Sequence, residues 1–526
     1  MNNTAGAEAV LAIDDLAVGF PIGGRIVNVV ESASLTVEQG AIVGLVGESG
    51  SGKTVSAMTA AGLLRALGGT VTRGSISFLG QDVTNLSERD WVRIRGRDIG
   101  VVFQNPTRTL NPAFRIGEQL AEVVRRHEGV SRSAAWKRAV EMLDRVGIAD
   151  AERRARDYPH QFSGGMCQRV AIAMAIICHP KLLIADEPTT ALDVTVQRHI
   201  LDLLLELRRE SGVSILLITH DLGVVAHTCD DVAVMYAGQV VERGKVHPLF
   251  ASPQHPYTTG LLNALPNGSV GGLPTAIPGQ VPAPTRMPTG CRFAPRCGHA
   301  EHRPSRTRRG ARPVVVAVHQ DSRPGEGVVV SLLEVEALRK TYPVRHAEPF
   351  IAVDDVSFTL EAGQTLALVG ESGAGKSTTG SLVLRLIEPD SGSVRLQGRD
   401  VLALNREELR GFRQNMQMIF QDPQSSLDPR LSVGVSVSEP LKIHFGMNKV
   451  DRQRRAMELF AMVGLGRDTV RKFPHELSGG MLQRAAIARA LTVSPHLLVC
   501  DEAVSALDVS VRAQVLNLLV ELQNEL

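Results

Sequence analysis

Two copies of one glycine-rich loop constrain this chain more than anything else in it. The first, Gly47-Glu48-Ser49-Gly50-Ser51-Gly52-Lys53-Thr54, follows the apolar run Ala41 to Val46 and precedes a small-residue helical run from Val55. The second, Gly370-Glu371-Ser372-Gly373-Ala374-Gly375-Lys376-Ser377, follows Thr365 to Val369, read as a strand. Strand, loop and helix in that order make an anion site. The glycines let the backbone curl so that its N–H groups point at phosphate oxygens, and the helix N-terminus adds partial positive charge. Lys53 and Lys376 are placed to reach β- and γ-phosphates, and the hydroxyls of Thr54 and Ser377 to hold Mg²⁺. One copy is compatible with an ordinary glycine turn. Two copies are not.

The copies belong to a larger repeat. Lys53 and Lys376 are 323 residues apart, Gln104 and Gln421 317, and Ser163 and Ser478, like Asp186 and Asp501, 315. Offsets this steady mark a tandem duplication with short indels, at a period far too long for a solenoid. The expected division is 1–264, a Pro/Gly/Arg-rich linker 265–330, and 331–526. Each half opens with alternating strands (Leu11 to Phe20 and Val27 to Val37; Leu333 to Tyr342 and Ile351 to Leu360). A helical insert follows (116–147; 433–464), in which Trp136, Val140, Leu143 and Val146 recur at helical spacing as core. Continuous apolar strands then end in Asp186-Glu187 and Asp501-Glu502, the pattern of a mainly parallel sheet buried on both faces.

A chain of 526 residues has room for more than one core. Its net charge of +2 leaves no broad electrostatic footprint for nucleic acid. No apolar run reaches membrane-spanning length, and the N-terminus lacks a basic-then-apolar signal pattern. The expectation is an intracellular protein that meets a membrane only through partners. The six cysteines are scattered and read as free thiols.

Three further motifs carry chemistry. In an open α/β sheet, ligands sit at the carboxyl ends of the strands, where Asp186 and Glu187 stand. Asp186 is suited to hold Mg²⁺ through water and Glu187 to polarise an attacking water. The plain alternative is a strand-end helix cap. Ser163-Gly164-Gly165-Met166 and Ser478-Gly479-Gly480-Met481 each open a predicted helix, offering a hydroxyl, backbone N–H groups and a helix dipole to an anion. A lone Ser-Gly-Gly is more often a turn. His220 ends the apolar strand Ser214 to Thr219; in isolation it reads as a hydrogen-bonded strand-end histidine.

Taken together, these motifs resemble the ATP-binding-cassette ATPases over essentially the whole chain. The match also takes in Ala191-Leu192-Asp193 and Ser505-Ala506-Leu507-Asp508. The resemblance implies an α/β fold of two tandem P-loop NTPase domains. Each has a mainly parallel sheet core, an antiparallel β subdomain and a helical subdomain. It further implies a head-to-tail pairing of the domains with two ATP sites. Site one takes Lys53, Thr54, Gln104, Asp186, Glu187 and His220 with Ser478 to Met481; site two takes Lys376, Ser377, Gln421, Asp501 and Glu502 with Ser163 to Met166. The catalytic residues it implies are Glu187, His220 and Glu502. The Mg²⁺ ligands are Thr54, Gln104 and Asp186 in one site and Ser377, Gln421 and Asp501 in the other. Phe20 and Tyr342 fall where the family stacks an aromatic on adenine, though an aromatic at a strand end is as often plain core.

The stretch after the first cassette narrows the branch. His255-Pro256-Tyr257-Thr258, Ile277-Pro278-Gly279 and Gly290-Cys291-Arg292-Phe293-Ala294-Pro295-Arg296-Cys297 are similar to the tail of peptide, glutathione and nickel importer ATPases. This resemblance implies two transmembrane permease partners and, indirectly, an extracytoplasmic binding protein, with the chain peripheral on the cytoplasmic face of the inner membrane. In some relatives that tail carries an iron–sulfur cluster. Cys291 and Cys297 alone cannot supply four thiolates, and substitution by His299, His302 and His319 is not favoured, so the segment reads as a vestigial loop. Arg303, Arg306, Arg308, Arg309 and Arg312 read as solvated. The counterpart of His220 falls past Leu526, and Ala503 stands where the first half has Pro188. The second domain is therefore expected to be C-terminally truncated and its site to hydrolyse poorly. The competing reading is a soluble two-cassette ATPase acting on ribosomes, which the Pro/Gly-rich linker argues against.

Overall fold

The computed structural model describes residues 9–265, 274–300, 331–343 and 348–525, apart from positions 191, 372, 425 and 506. The chain divides into two compact units. The first comprises Met1–Ala300 with Asp508–Gln514, the second Glu301–Leu507 with Val515–Leu526.

The first unit is built on one ten-stranded sheet. Its strands are β1 (Ala9–Ile22), β2 (Arg25–Glu38), β3 (Ile42–Val46), β4 (Thr70–Phe78), β5 (Gln81–Asp82), β6 (Ile99–Val102), β7 (Leu182–Asp186), β8 (Ser214–Thr219), β9 (Asp231–Tyr236) and β10 (Gln239–Lys245), in the order β5-β4-β1-β2-β10-β9-β3-β8-β7-β6. β9, β3, β8, β7 and β6 run parallel, while β1, β2, β4 and β5 form an antiparallel wing. The central strands are apolar throughout because both faces are covered. Alternate residues of β7 and β8 divide between two cores: Leu183, Ala185, Ile215 and Leu217 face one, and Leu182, Ile184, Leu216 and Ile218 the other.

The parallel register positions the chemistry. Val46 pairs with Thr219, Asp186 with Ile218, and Val102 with Ala185. The chain therefore leaves β3, β6, β7 and β8 at one edge, which places Gly47, Gln104, Glu187 and His220 together. The helical insert is the pair Ile116–Glu128 and Arg132–Arg145. Leu143 and Val146 are buried there, and Trp136 and Val140 are packed against them, as their spacing predicts.

The second unit repeats the wing and the helical insert. Strands β11 (Ser331–Tyr342), β12 (Phe350–Glu361), β13 (Ser391–Leu396) and β14 (Arg399–Asp400) form an antiparallel sheet. Helices Val433–Phe445 and Lys449–Met462 form its insert. Two expectations fail here. The run Thr365 to Val369 is not a strand, and the unit has no mainly parallel sheet among the described residues: only β15 (Met416–Ile419) and β16 (Leu497–Cys500) pair in parallel. The reason is partnership. In the first unit β3 is a strand because β8 and β9 flank it. No described strand flanks residues 365–369, and Leu366, Leu368 and Val369 stand exposed, Val369 at 93%.

Candidate nucleotide site

The first loop curls as its glycines predict. A Cβ on Gly47 would stand 2.0 Å from the Met235 carbonyl oxygen, so only glycine fits where the loop leaves β3. Gly52, at φ 102°, caps the helix Lys53–Ala60 from the left-handed region. Lys53 Nζ donates to the Gly47 and Glu48 carbonyls at 2.7 and 3.0 Å. Burial pulls the Lys53 ammonium below its ordinary value, against the pull of the surrounding carboxylates. The Ser51 hydroxyl is buried and has no protein partner.

Thr54 Oγ1 donates to Asp186 Oδ1 at 3.2 Å. Asp186 is 3% exposed, and burial pushes its pKa up to about 6. A hydroxyl beside a carboxylate is an oxygen donor set suited to Mg²⁺, so these residues fit the metal that accompanies ATP. Next to it, the Glu187 carboxylate gathers three partners. Gln104 Nε2 donates to Oε2 at 2.9 Å, the Thr190 hydroxyl donates to the same oxygen at 2.9 Å, and His220 Nδ1 lies 3.2 Å from Oε1. Burial works to raise the pKa of Glu187. The hydrogen bond and charge of His220, then Lys53 and Thr190, outweigh it and hold the group below its ordinary value, so it stays an ionised acceptor near neutrality. Glu187 adopts φ 48°, a left-handed backbone uncommon for this residue type. It is not a helix cap: Asp193 caps the following helix, Val194–Ser211, accepting from the Val196 N–H.

Ser163 caps the helix Gly164–Ile176, its hydroxyl accepting from the Met166 N–H, and Ser163 and Gly164 are exposed. Phe20 is partly buried against the wing's core.

The second loop repeats the pairings. Lys376 Nζ donates to the Gly370 and Glu371 carbonyls, both at 2.8 Å, and Gly375, at φ 84°, caps the helix Lys376–Val383. Ser377 Oγ donates to Asp501 Oδ1 at 2.8 Å and Gln421 Nε2 to Glu502 Oε2 at 2.7 Å. Glu502 has φ 45°. Two differences stand out. Lys376 and Asp501 are half-buried and Glu502 exposed, and no histidine pairs with Glu502 among the described residues. Gly373 and Ala374 are exposed, and Ser372 lies outside the described residues. Ser478, Gly479, Gly480 and Met481 open the helix Gly479–Leu491, with Ser478 exposed. Tyr342 is exposed at the end of β11, with Lys340 Nζ 5.8 Å from its ring centroid.

The sequence reading missed the partners of Glu48. The Glu48 N–H donates to the Tyr257 hydroxyl at 2.8 Å, and its carboxylate meets the Arg296 guanidinium at 2.5 and 2.9 Å. Both partners come from motifs read as family signatures without a local role. Segment 277–297, expected to be linker and vestigial loop, packs on the first unit, with Ile277 and Phe293 buried beside Tyr236 and Tyr257. Cys291 is exposed and Cys297 half-buried. No three metal-ligating side chains converge among the described residues. His302, His319 and the arginines from 303 to 312 lie outside them.

Comparison with known proteins identifies the family. A family model described as "ABC transporter" matches residues 30–190 and 353–505. One described as "Oligopeptide/dipeptide transporter, C-terminal region" matches residues 241–303. The chain is 42% identical to the glutathione import ATP-binding protein GsiA of Pectobacterium atrosepticum, over 98% of this chain and 81% of that one. It is 43% identical to the oligopeptide transport ATP-binding protein OppD of Mycobacterium bovis, over 98% and 89%. To GsiA of Escherichia coli K12 it is 42% identical, over 99% and 81%. No helix among the described residues is long and apolar enough to cross a membrane. Two cassette matches and this identity over nearly the full length make the chain a member of the ATP-binding-cassette transporter family, an ATPase similar to the ATP-binding proteins of oligopeptide and glutathione importers.

Proposed function

We propose that the chain hydrolyses ATP to drive import of peptides, glutathione included as a peptide-like cargo. The observation that carries this reading is the importer-type tail at residues 241–303, directly after a cassette with a complete set of site residues. The relatives' names favour import over the ribosomal alternative.

In this reading the Gly47–Thr54 loop holds the phosphates through its N–H groups, Lys53 and the unpartnered Ser51 hydroxyl. Thr54, Asp186 and Gln104 hold the Mg²⁺ that offsets phosphate charge. The ionised Glu187 accepts the proton of the attacking water, and His220 and Gln104 fix the carboxylate's direction. Lys376, Ser377, Gln421, Asp501 and Glu502 serve a second nucleotide. The two cassettes pair head to tail, Ser478 to Met481 completing the first site and Ser163 to Met166 the second. Phe20 and Tyr342 stack on adenine. Closure on ATP and reopening after hydrolysis pass motion to two permease subunits at the inner face of the membrane, and a binding protein delivers cargo from outside.

Affinity purification of the tagged chain from detergent-solubilised native membranes tests this. Two multi-span permeases should co-purify. Recovery of ribosomal proteins without permeases refutes the reading.

A further inference from the structure

A carboxylate at the second position of a loop that binds polyphosphate is an electrostatic liability. Glu48 is such a group, and it is 3% exposed. What buries Glu48 is the tail. Arg296, itself 6% exposed, meets both carboxylate oxygens with a guanidinium fork, and its Nε donates to the Pro278 carbonyl at 2.8 Å. Tyr257, fully buried, receives the Glu48 N–H. The rings of Tyr236, Tyr257 and Phe293 pack at 4.6 to 5.5 Å between centroids, and Arg296 lies 5.7 Å from the Tyr236 centroid. The Glu48 carbonyl, on the same residue, accepts from Lys53.

We infer that Arg296 is a positioning residue for ATP: the importer-type tail latches the first phosphate loop by neutralising and holding Glu48, so that the loop presents its donors without a competing negative charge. The inference rests on the Lys53 loop being an ATP site. Removing the guanidinium leaves a lone buried carboxylate, the costly half of a broken buried pair. It relaxes by turning out, which distorts the loop, or by staying charged next to the phosphates.

The test measures equilibrium ATP binding by the full chain carrying Lys376→Ala, so that the reading comes from the Lys53 loop. If this parent does not bind ATP, the ATP-site reading falls and the latch with it. In that background Arg296→Met should raise Kd at least about tenfold. Adding Glu48→Gln to Arg296→Met removes the lone charge and should recover most of the loss. Arg292→Met, in the same tail but bonded to Ala237 and Glu31, should leave Kd within about twofold. An unchanged Kd in Arg296→Met, no recovery in the double variant, or equal weakening by Arg292→Met overturns the latch. If Arg296→Met does not fold, Tyr257→Phe decides: it keeps the ring and removes only the acceptor, so Kd should rise several-fold, and an unchanged Kd overturns the proposal.

Discussion

Replacing Asp186 by asparagine should make the nucleotide-free chain more stable at neutral and alkaline pH. Burial raises the pKa of this carboxyl from 3.8 to about 6, with the Glu187 charge adding to the rise and Thr54 and Lys53 opposing it. A carboxyl whose folded pKa lies above its unfolded value binds its proton more tightly when folded. That contribution is present in full below about pH 4 and is lost as pH rises through about 6. Above pH 6 the folded chain carries a buried charge. Roughly two pKa units at 1.36 kcal/mol each set the penalty at about 3 kcal/mol. The amide introduced by Asp186→Asn is the same size as the carboxyl, still accepts from Thr54, and carries no charge. Denaturant unfolding of parent and variant in chelator, at pH 8 and pH 5, gives the comparison. The variant's advantage should be about 3 kcal/mol at pH 8 and about half that at pH 5. An advantage that does not change between these pH values, or a variant less stable than its parent at pH 8, would refute the reasoning.

Other outcomes follow from the same geometry. Glu187→Gln should lower ATP turnover at least about 100-fold with ATP binding retained, and Glu502→Gln, whose parent residue is exposed and lacks a histidine partner among the described residues, should lower it less. Steady-state hydrolysis checks both, and normal turnover in Glu187→Gln would remove Glu187 from the chemistry. Gly47→Ala should abolish ATP binding at the Lys53 loop, because its methyl group would meet the Met235 carbonyl; calorimetric titration with ATP in a chain that also carries Lys376→Ala reads this directly. Leu143→Ala, at a fully buried position of the helical insert, should cost about 2–5 kcal/mol of stability, seen as a lower denaturation midpoint.

Much of the first unit is legible in the sequence because its signals are local. Apolar runs become β3, β7 and β8, and the loop glycines sit where their freedom is needed. The spacing of Leu143 and Val146 reads correctly as core. The parallel register then carries the residues after those strands to one edge, which no single motif states. The run at 365–369 misleads for the opposite reason. Its composition is right for a buried strand, but a strand also needs neighbours to bond, and sequence pattern does not report partners far along the chain. The role of Arg296 is hidden for a related reason. Nothing near it in sequence hints that its carboxylate is Glu48, 248 positions earlier. One signal is available: a tail motif rich in aromatic and basic residues is an odd composition for free linker.

The backbone at Glu187 and Glu502 sets fold against chemistry. In both halves the glutamate after the sheet strand holds a left-handed conformation, at roughly 1 kcal/mol or more for a residue with a side chain. Glycine or asparagine would relieve that strain at once. Selection for heat resistance alone should therefore drift away from glutamate at both positions, whereas selection through cargo uptake should retain it. Descendants of this chain that have lost transport but kept their fold would carry that loss first at these two codons.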